Sequence, residues 1–151
     1  MPELLTSYYI SPIGTIEIKH NDEYITVVGF VDKTAPEVNK PKGVLQQCMH
    51  QLDEYFTGKR KVFDLPLAPS GTDFQKKVWK SLQGIPYAAT VSYLDIAKLI
   101  GDEKSTRAVG AANGKNPIGI IIPCHRVIGS DSSLTGYAGG MFRKKWLLDH
   151  E

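Results

Sequence analysis

"SYLDIAKLIGDEKSTRAVGAANG", residues 92–114, decides how the second half of the chain folds. Ser92 ahead of an apolar-periodic run that closes at Gly101 predicts one short helix, and Ser105 and Gly114 bracket another. Two short helices joined by a tight glycine-containing turn have the pattern of a helix-turn-helix, although many such hairpins bind nothing. The second helix is nearly smooth: Ala108, Val109, Gly110, Ala111 and Ala112 fill it, with Arg107 near its start and Asn113 and Lys115 near its end. Reading bases in the major groove needs several long hydrogen-bonding side chains, whereas small residues let a backbone lie close to a sugar–phosphate wall. Two readings stay open. Either the small residues serve tight helix packing and Arg107 is solvated, which composition alone favours, or the helix meets DNA through shape and phosphates with Arg107 as a single long probe.

Upstream, "TDFQKKVWKSLQGI", residues 72–85, spaces Phe74, Val78 and Leu82 by four, with Trp79 beside them and lysines opposite. A helix is predicted from a Thr72 or Asp73 cap to a stop before Gly84 and Pro86. The first half changes character. "SYYISPIGTIEIKHNDEYITVVGFV", residues 7–31, has alternating and β-branched runs broken at Pro12-Ile13-Gly14 and Asn21-Asp22, the pattern of an antiparallel meander. "PKGVLQQCMHQLDEYF", residues 41–56, follows with Val44, Leu45, Cys48, Leu52, Tyr55 and Phe56 at helical spacing. Residues 61–72, "KVFDLPLAPSGT", are expected to form an edge strand passing into a linker.

The 151 residues are 42% hydrophobic, enough for a real core in one ordinary domain or two small ones. Neither a signal peptide nor a membrane span is legible, so a cytoplasmic protein is expected. Cys48 and Cys124 lie far apart in unlike settings, which argues for free thiols rather than a disulfide framework or a metal knuckle. His20 and His50 have no ligands at metal spacing, and no metal or cofactor is expected. Residues 1–69 carry seven Lys and Arg against nine Asp and Glu, a charge of −2; residues 70–151 carry eleven against seven, +4. A polyanion partner for the second half is favoured, weakly.

The chemistry concentrates in "IIIPCHRVIG", residues 120–129. Asn116-Pro117 signals a turn, Ile118–Ile122 is expected as a short buried extended run, and Pro123 stops it so that Cys124 emerges at a kink. Residues 129–140, with four glycines, form a loop able to cover a pocket there. "MFRKKWLLDHE", residues 141–151, predicts a last amphipathic helix through Phe142, Trp146 and Leu147.

"PCHRVIG" preceded by "GKNP", "RAVG" seventeen residues before the cysteine, "TGYAGG" after it and "WLLDHE" beyond together resemble the O6-alkylguanine-DNA alkyltransferases, the methylated-DNA–protein-cysteine methyltransferases. The match spans about residues 72–151. The first half resembles the family only in layout and lacks the zinc ligands that some members carry. The resemblance implies an α+β protein: a small ribonuclease-H-like sheet-and-helix domain over residues 1–69, then a mostly helical domain with a helix-turn-helix over residues 70–151. It implies irreversible transfer of an alkyl group from the O6 atom of guanine, or less often the O4 atom of thymine, onto Cys124 in a single turnover.

A soft sulfur suits attack on saturated carbon, but a free thiol with pKa of roughly 8.5 is only a few per cent thiolate at neutral pH. The family pattern implies His125 as base through a bridging water, with Glu151 fixing its tautomer. It further implies Tyr93 as donor to the departing base, Asn116 as brace of the turn beneath the cysteine, and carbonyls of Cys124 and Val127 reading the guanine amine. Tyr137, Ala138 and Gly139 would wall the pocket; Ala138 stands where many members have serine, which removes one side-chain donor. Packing is the plain alternative for Tyr93, and a simple turn for Asn116. Double-stranded DNA would be held in its minor groove, with little sequence preference, by Ser105, Thr106, Arg107, Ala108, Gly110, Ala111, Asn113, Lys115 and Arg126. A base stacked in a duplex has to be extruded, at a cost of about a few kcal/mol, and Arg107 would fill the gap. A monomer is expected, with clustering along DNA left open. Three rivals remain: a non-transferring relative, which carries tryptophan in place of the cysteine; a Cys-His hydrolase, which would release its product; and a sequence-specific helix-turn-helix regulator.

Overall fold

Local signals in the first unit are simple enough to build it almost alone. The structure, a computed structural model, describes residues 4–33, 40–131, 133, 134 and 136–151, and the chain divides between Pro69 and Ser70 into two compact units. In the first, β1 (Leu5–Ser11), β2 (Gly14–His20) and β3 (Ile25–Val31) form an antiparallel sheet in chain order. Gly14 at φ 128° supplies a turn conformation other residues avoid, and the Asn21 side chain accepts the amides of Glu23 and Tyr24 at 2.7 Å each to close the second turn. Period-two alternation sends Ile16 and Ile18 inward, fully buried, and α1 (Gly43–Phe56) covers that face with Leu45, Cys48, Leu52 and Tyr55. Burial pushes the Cys48 thiol up to about 12, so this cysteine is an inert core residue.

The edge strand expected in residues 61–72 does not form. Its only pairing among the described residues is a parallel bridge of Leu67 to Ile25, held by Ile25 N–H to Pro66 O and Ala68 N–H to Ile25 O at 2.9 Å each. Pro66 and Pro69 have no amide to donate, so the ladder cannot extend.

The second unit contains α2 (Asp73–Leu82), the two-residue strand β4 (Val91–Ser92), α3 (Tyr93–Leu99), α4 (Thr106–Gly114), β5 (Val127–Ile128) and α5 (Met141–His150). Thr72 and Gln75 close a capping box on α2, and Ser92 with Asp95 closes another on α3. Ser105 precedes α4 but does not cap it: a 3-10 turn at Glu103–Ser105 runs into the helix, and the Ser105 hydroxyl donates back to Asp102 O at 2.6 Å. Trp79 organises the packing. Its indole donates to Ala112 O at 2.8 Å and so ties α2 to the last turn of α4, while its ring approaches Gly71 so closely that a Cβ there would lie 2.5 Å away.

One long-range pairing positions the site. β4 runs parallel to β5, with Val91 opposite Val127 and Ser92 opposite Ile128, so α3 begins beside the strand that leaves the Cys124 turn. The last helix corrects an expectation: Phe142 is 73% exposed, and the buried face of α5 carries Lys144 and Leu147. Trp79→Phe should cost about 2 kcal/mol in chemical denaturation, because the Ala112 carbonyl loses its donor and a smaller ring leaves space.

Candidate active site

Ile118, Ile120, Ile121 and Ile122 are buried as expected, but the run is not extended. Ile121 N–H bonds Gly119 O at 2.8 Å, Ile122 N–H bonds Ile118 O at 3.1 Å, and Ile120 is held at φ 69°, a left-handed conformation costly for a β-branched residue. Asn116 imposes this shape. Its side-chain amide donates to Ile122 O at 2.8 Å and Ile118 O at 3.2 Å, and its oxygen accepts Ile118 N–H at 3.0 Å. Three anchors from one side chain hold the coil.

The coil delivers Cys124, His125 and Arg126 into a buried 3-10 turn. Cys124 is 5% exposed; burial raises its thiol above the ordinary range, opposed by a hydrogen bond from Asn116 and the charge of Lys144. His125 is fully buried, and its Nε2 lies 2.6 Å from Glu151 Oε2. Burial drives its pKa below 6.5, with the Glu151 hydrogen bond and charge opposing, so the imidazole is neutral at physiological pH. Its other nitrogen, Nδ1, has no hydrogen-bond partner among the described residues. A neutral imidazole fixed at one nitrogen and open at the other is a base awaiting a proton.

Glu151 has a side chain only 1% exposed and gathers four donors. Besides His125 these are Arg126 Nε at 2.8 Å, Arg126 Nη2 at 3.1 Å and Ala88 N–H at 3.1 Å. Lys144, buried within α5, donates to Val127 O at 2.6 Å; burial lowers its pKa and the neighbouring Cys124 opposes. Tyr137 stays a neutral phenol, its pKa raised by burial and by Cys124. The Tyr93 hydroxyl stands at the glycine loop, 3.7 Å from where a Gly136 Cβ would be. Among the described residues no group of His, Cys, Asp and Glu could hold a metal ion.

Residues 4–69 match the family described as 6-O-methylguanine DNA methyltransferase, ribonuclease-like domain, and residues 73–151 match its DNA binding domain. The chain belongs to this family. A methylated-DNA–protein-cysteine methyltransferase of Methanosarcina barkeri is 49% identical over 147 residues, covering 93% of this chain and 92% of that protein. The crystal structure of the Mycobacterium tuberculosis O6-methylguanine methyltransferase superposes with a TM-score of 0.88 at 41% identity, covering 98% of this chain and 92% of that one. A further Mycobacterium tuberculosis structure, 44% identical with a TM-score of 0.84 over 94% of this chain and 89% of its own, was solved in complex with DNA.

Within this family member, the residues singled out in the sequence fall into two groups. Cys124, His125, Glu151 and Asn116 converge on one buried turn, with Tyr137 at the thiol. On α4 and the residues flanking it, Arg107, Ala108, Ala111 and Lys115 are exposed, Ser105 and Thr106 partly so, and Gly110 lies toward the Tyr93 ring. Asn113 and Arg126 are corrections. Asn113 is 1% exposed and donates to Cys124 O at 3.3 Å, while Arg126 is 5% exposed and spends its guanidinium on Glu151 and Ile85 O. Neither can face a phosphate, because interior carbonyls and a carboxylate already hold them. The carbonyls of Cys124 and Val127 accept from Asn113 and Lys144 respectively. Sequence reasoning missed Lys144 and Ala88. The only signal for Lys144 was its place three residues before the buried Leu147, on the helix face turned inward.

Asn116→Ala removes three anchors at once and should cost about 2–3 kcal/mol in thermal unfolding. Asn116→Asp should fare no better: it keeps an acceptor for Ile118 N–H but sets a carboxylate oxygen against the Ile118 and Ile122 carbonyls.

Proposed function

We propose that this chain repairs DNA by direct reversal, moving a methyl or larger alkyl group from O6-alkylguanine onto Cys124. One observation carries the reading: a buried neutral His125 bound to Glu151 at Nε2, with Nδ1 unpartnered among the described residues, directly follows a buried thiol. The Cys124 proton passes through a water to His125 Nδ1, and the sulfur attacks the alkyl carbon. The S–C bond forms as the C–O6 bond breaks, and its electron pair leaves on the guanine. Tyr93 donates toward the base, and the proton taken from the thiol ends on the released guanine. The thioether left on Cys124 has no activated carbonyl for water to attack, so each molecule acts once.

The exposed small-residue face of α4, the +4 charge of residues 70–151 and the relative solved with DNA support binding to double-stranded DNA. We place α4 in the minor groove, with little sequence preference, and Arg107 in the gap left by an extruded nucleotide. Val127, Tyr137, Ala138 and Gly139 wall the receiving pocket, and an O4-alkylthymine would enter the same way. The protein works as a cytoplasmic monomer in this reading. No helix among the described residues is long and apolar enough to cross a membrane.

Intact-mass spectrometry after exposure to an O6-methylguanine oligonucleotide should show one methyl group per protein; repeated turnover would contradict the mechanism. Cys124→Ser should bind DNA and take up nothing. The pH profile follows from the two shifts. With the His125 pKa below 6.5, the transfer rate should stay flat from above that value through neutrality and fall only on further acidification. In His125→Ala the thiol must ionise unaided, and its raised pKa makes the rate climb by about tenfold per pH unit across the neutral range. Arg107→Ala should slow repair of duplex DNA by about tenfold or more and spare reaction with the free base; equal losses would remove its proposed role.

A further inference from the structure

Arg126 sits beside the reacting residues yet touches none of the groups assigned to the reaction except one. Its Nε and Nη2 grip both oxygens of Glu151 at 2.8 and 3.1 Å, its Nη1 donates to Ile85 O at 2.8 Å, and its guanidinium lies 5.7 Å from the Tyr87 ring centroid. At 5% exposure it is closed off from solvent. This is a two-pronged carboxylate clamp whose Nη1 is tied to the loop that also supplies the Ala88 amide to Glu151. The charged groups that act on His125 are Lys144 from α5, Glu151 directly after that helix and Arg126 from its own turn, with Cys124 its neighbour in the chain.

We propose that Arg126 is a positioning residue for alkyl transfer, acting through Glu151 to keep His125 neutral and turned toward the thiol. The inference rests on the relay proposed above. A buried charge needs a partner. With Arg126 in place, the carboxylate is already balanced and asks His125 only for a hydrogen bond. Without it, Glu151 becomes an uncompensated buried anion, and the nearest available proton site is the imidazole bound to it at 2.6 Å. Protonated His125 can no longer receive the thiol proton. The clamp also fixes the carboxylate plane, which sets the ring orientation and leaves Nδ1 as the open nitrogen. A lysine in this place could supply charge but not three donors in one rigid plane.

The test is the rate of methyl uptake from an O6-methylguanine oligonucleotide at pH 6 and pH 8, followed by intact-mass spectrometry. Relative to the unaltered protein, Arg126→Met should lose about tenfold more rate at pH 6 than at pH 8, because the imidazole is then protonated in the acidic sample. A loss of equal size at both pH values, or no loss, would overturn the proposal, since a merely structural role has no reason to depend on pH. Arg126→Lys keeps the cation but loses the fork; it should react more slowly at both pH values while retaining the unaltered protein's pH dependence. A rate equal to the unaltered protein's at both would overturn the positioning role independently of the methionine variant. Unaltered protein that gains no methyl group at either pH would instead refute the transfer reading itself.

Discussion

A single carboxylate, that of Glu151, holds together three parts of the second unit that are far apart in the chain. It bonds the His125 imidazole, the Arg126 guanidinium and the Ala88 amide while its side chain is withdrawn from water. A buried anion without such partners would be unfavourable by several kcal/mol, so α5, the Cys124 turn and the loop after α2 are constrained to meet where it sits. Ala88, at φ 66°, accepts a strained backbone there, its amide turned to the carboxylate.

Asn116 performs the matching task from the other side. The residues before the cysteine are apolar and β-branched, and such a run left to itself would extend and seek a sheet. The side-chain amide instead supplies the hydrogen bonds of a strand neighbour from within the turn, and the isoleucines coil into the interior. The thiol is thereby held on a rigid floor rather than on a mobile loop. Burial also makes the Cys124 thiol a poor acid.

The two faces of α4 divide its labour. Val109, Ala112 and Asn113 point inward, where Ala112 O receives the Trp79 indole and Asn113 supports the cysteine carbonyl. Arg107, Ala108, Ala111 and Lys115 point outward. The packing reading of its composition holds for the inner side, and the outer side is left exposed. Asn113 ties the inner side of the helix to the Cys124 turn.

Much of this was legible in the residues themselves. Local chemistry determined the meander, through period-two alternation and the Asn21 turn, and determined α2 and α3, through capping boxes at Thr72 and Ser92. The resemblance to the alkyltransferase family nominated Cys124, His125, Asn116 and Glu151. Tertiary structure alone decided the rest, because it depends on partners distant in sequence. Nothing near Arg126 says whether its guanidinium meets a phosphate or a carboxylate 25 residues on, and Lys144 looks like any surface lysine until α5 is docked. Ile118–Ile122 carry the composition of a strand, and only the side chain of Asn116 turns them into a coil. Propensity and periodicity describe a residue and its near neighbours; the pairing of buried charges and carbonyls is settled by the fold as a whole.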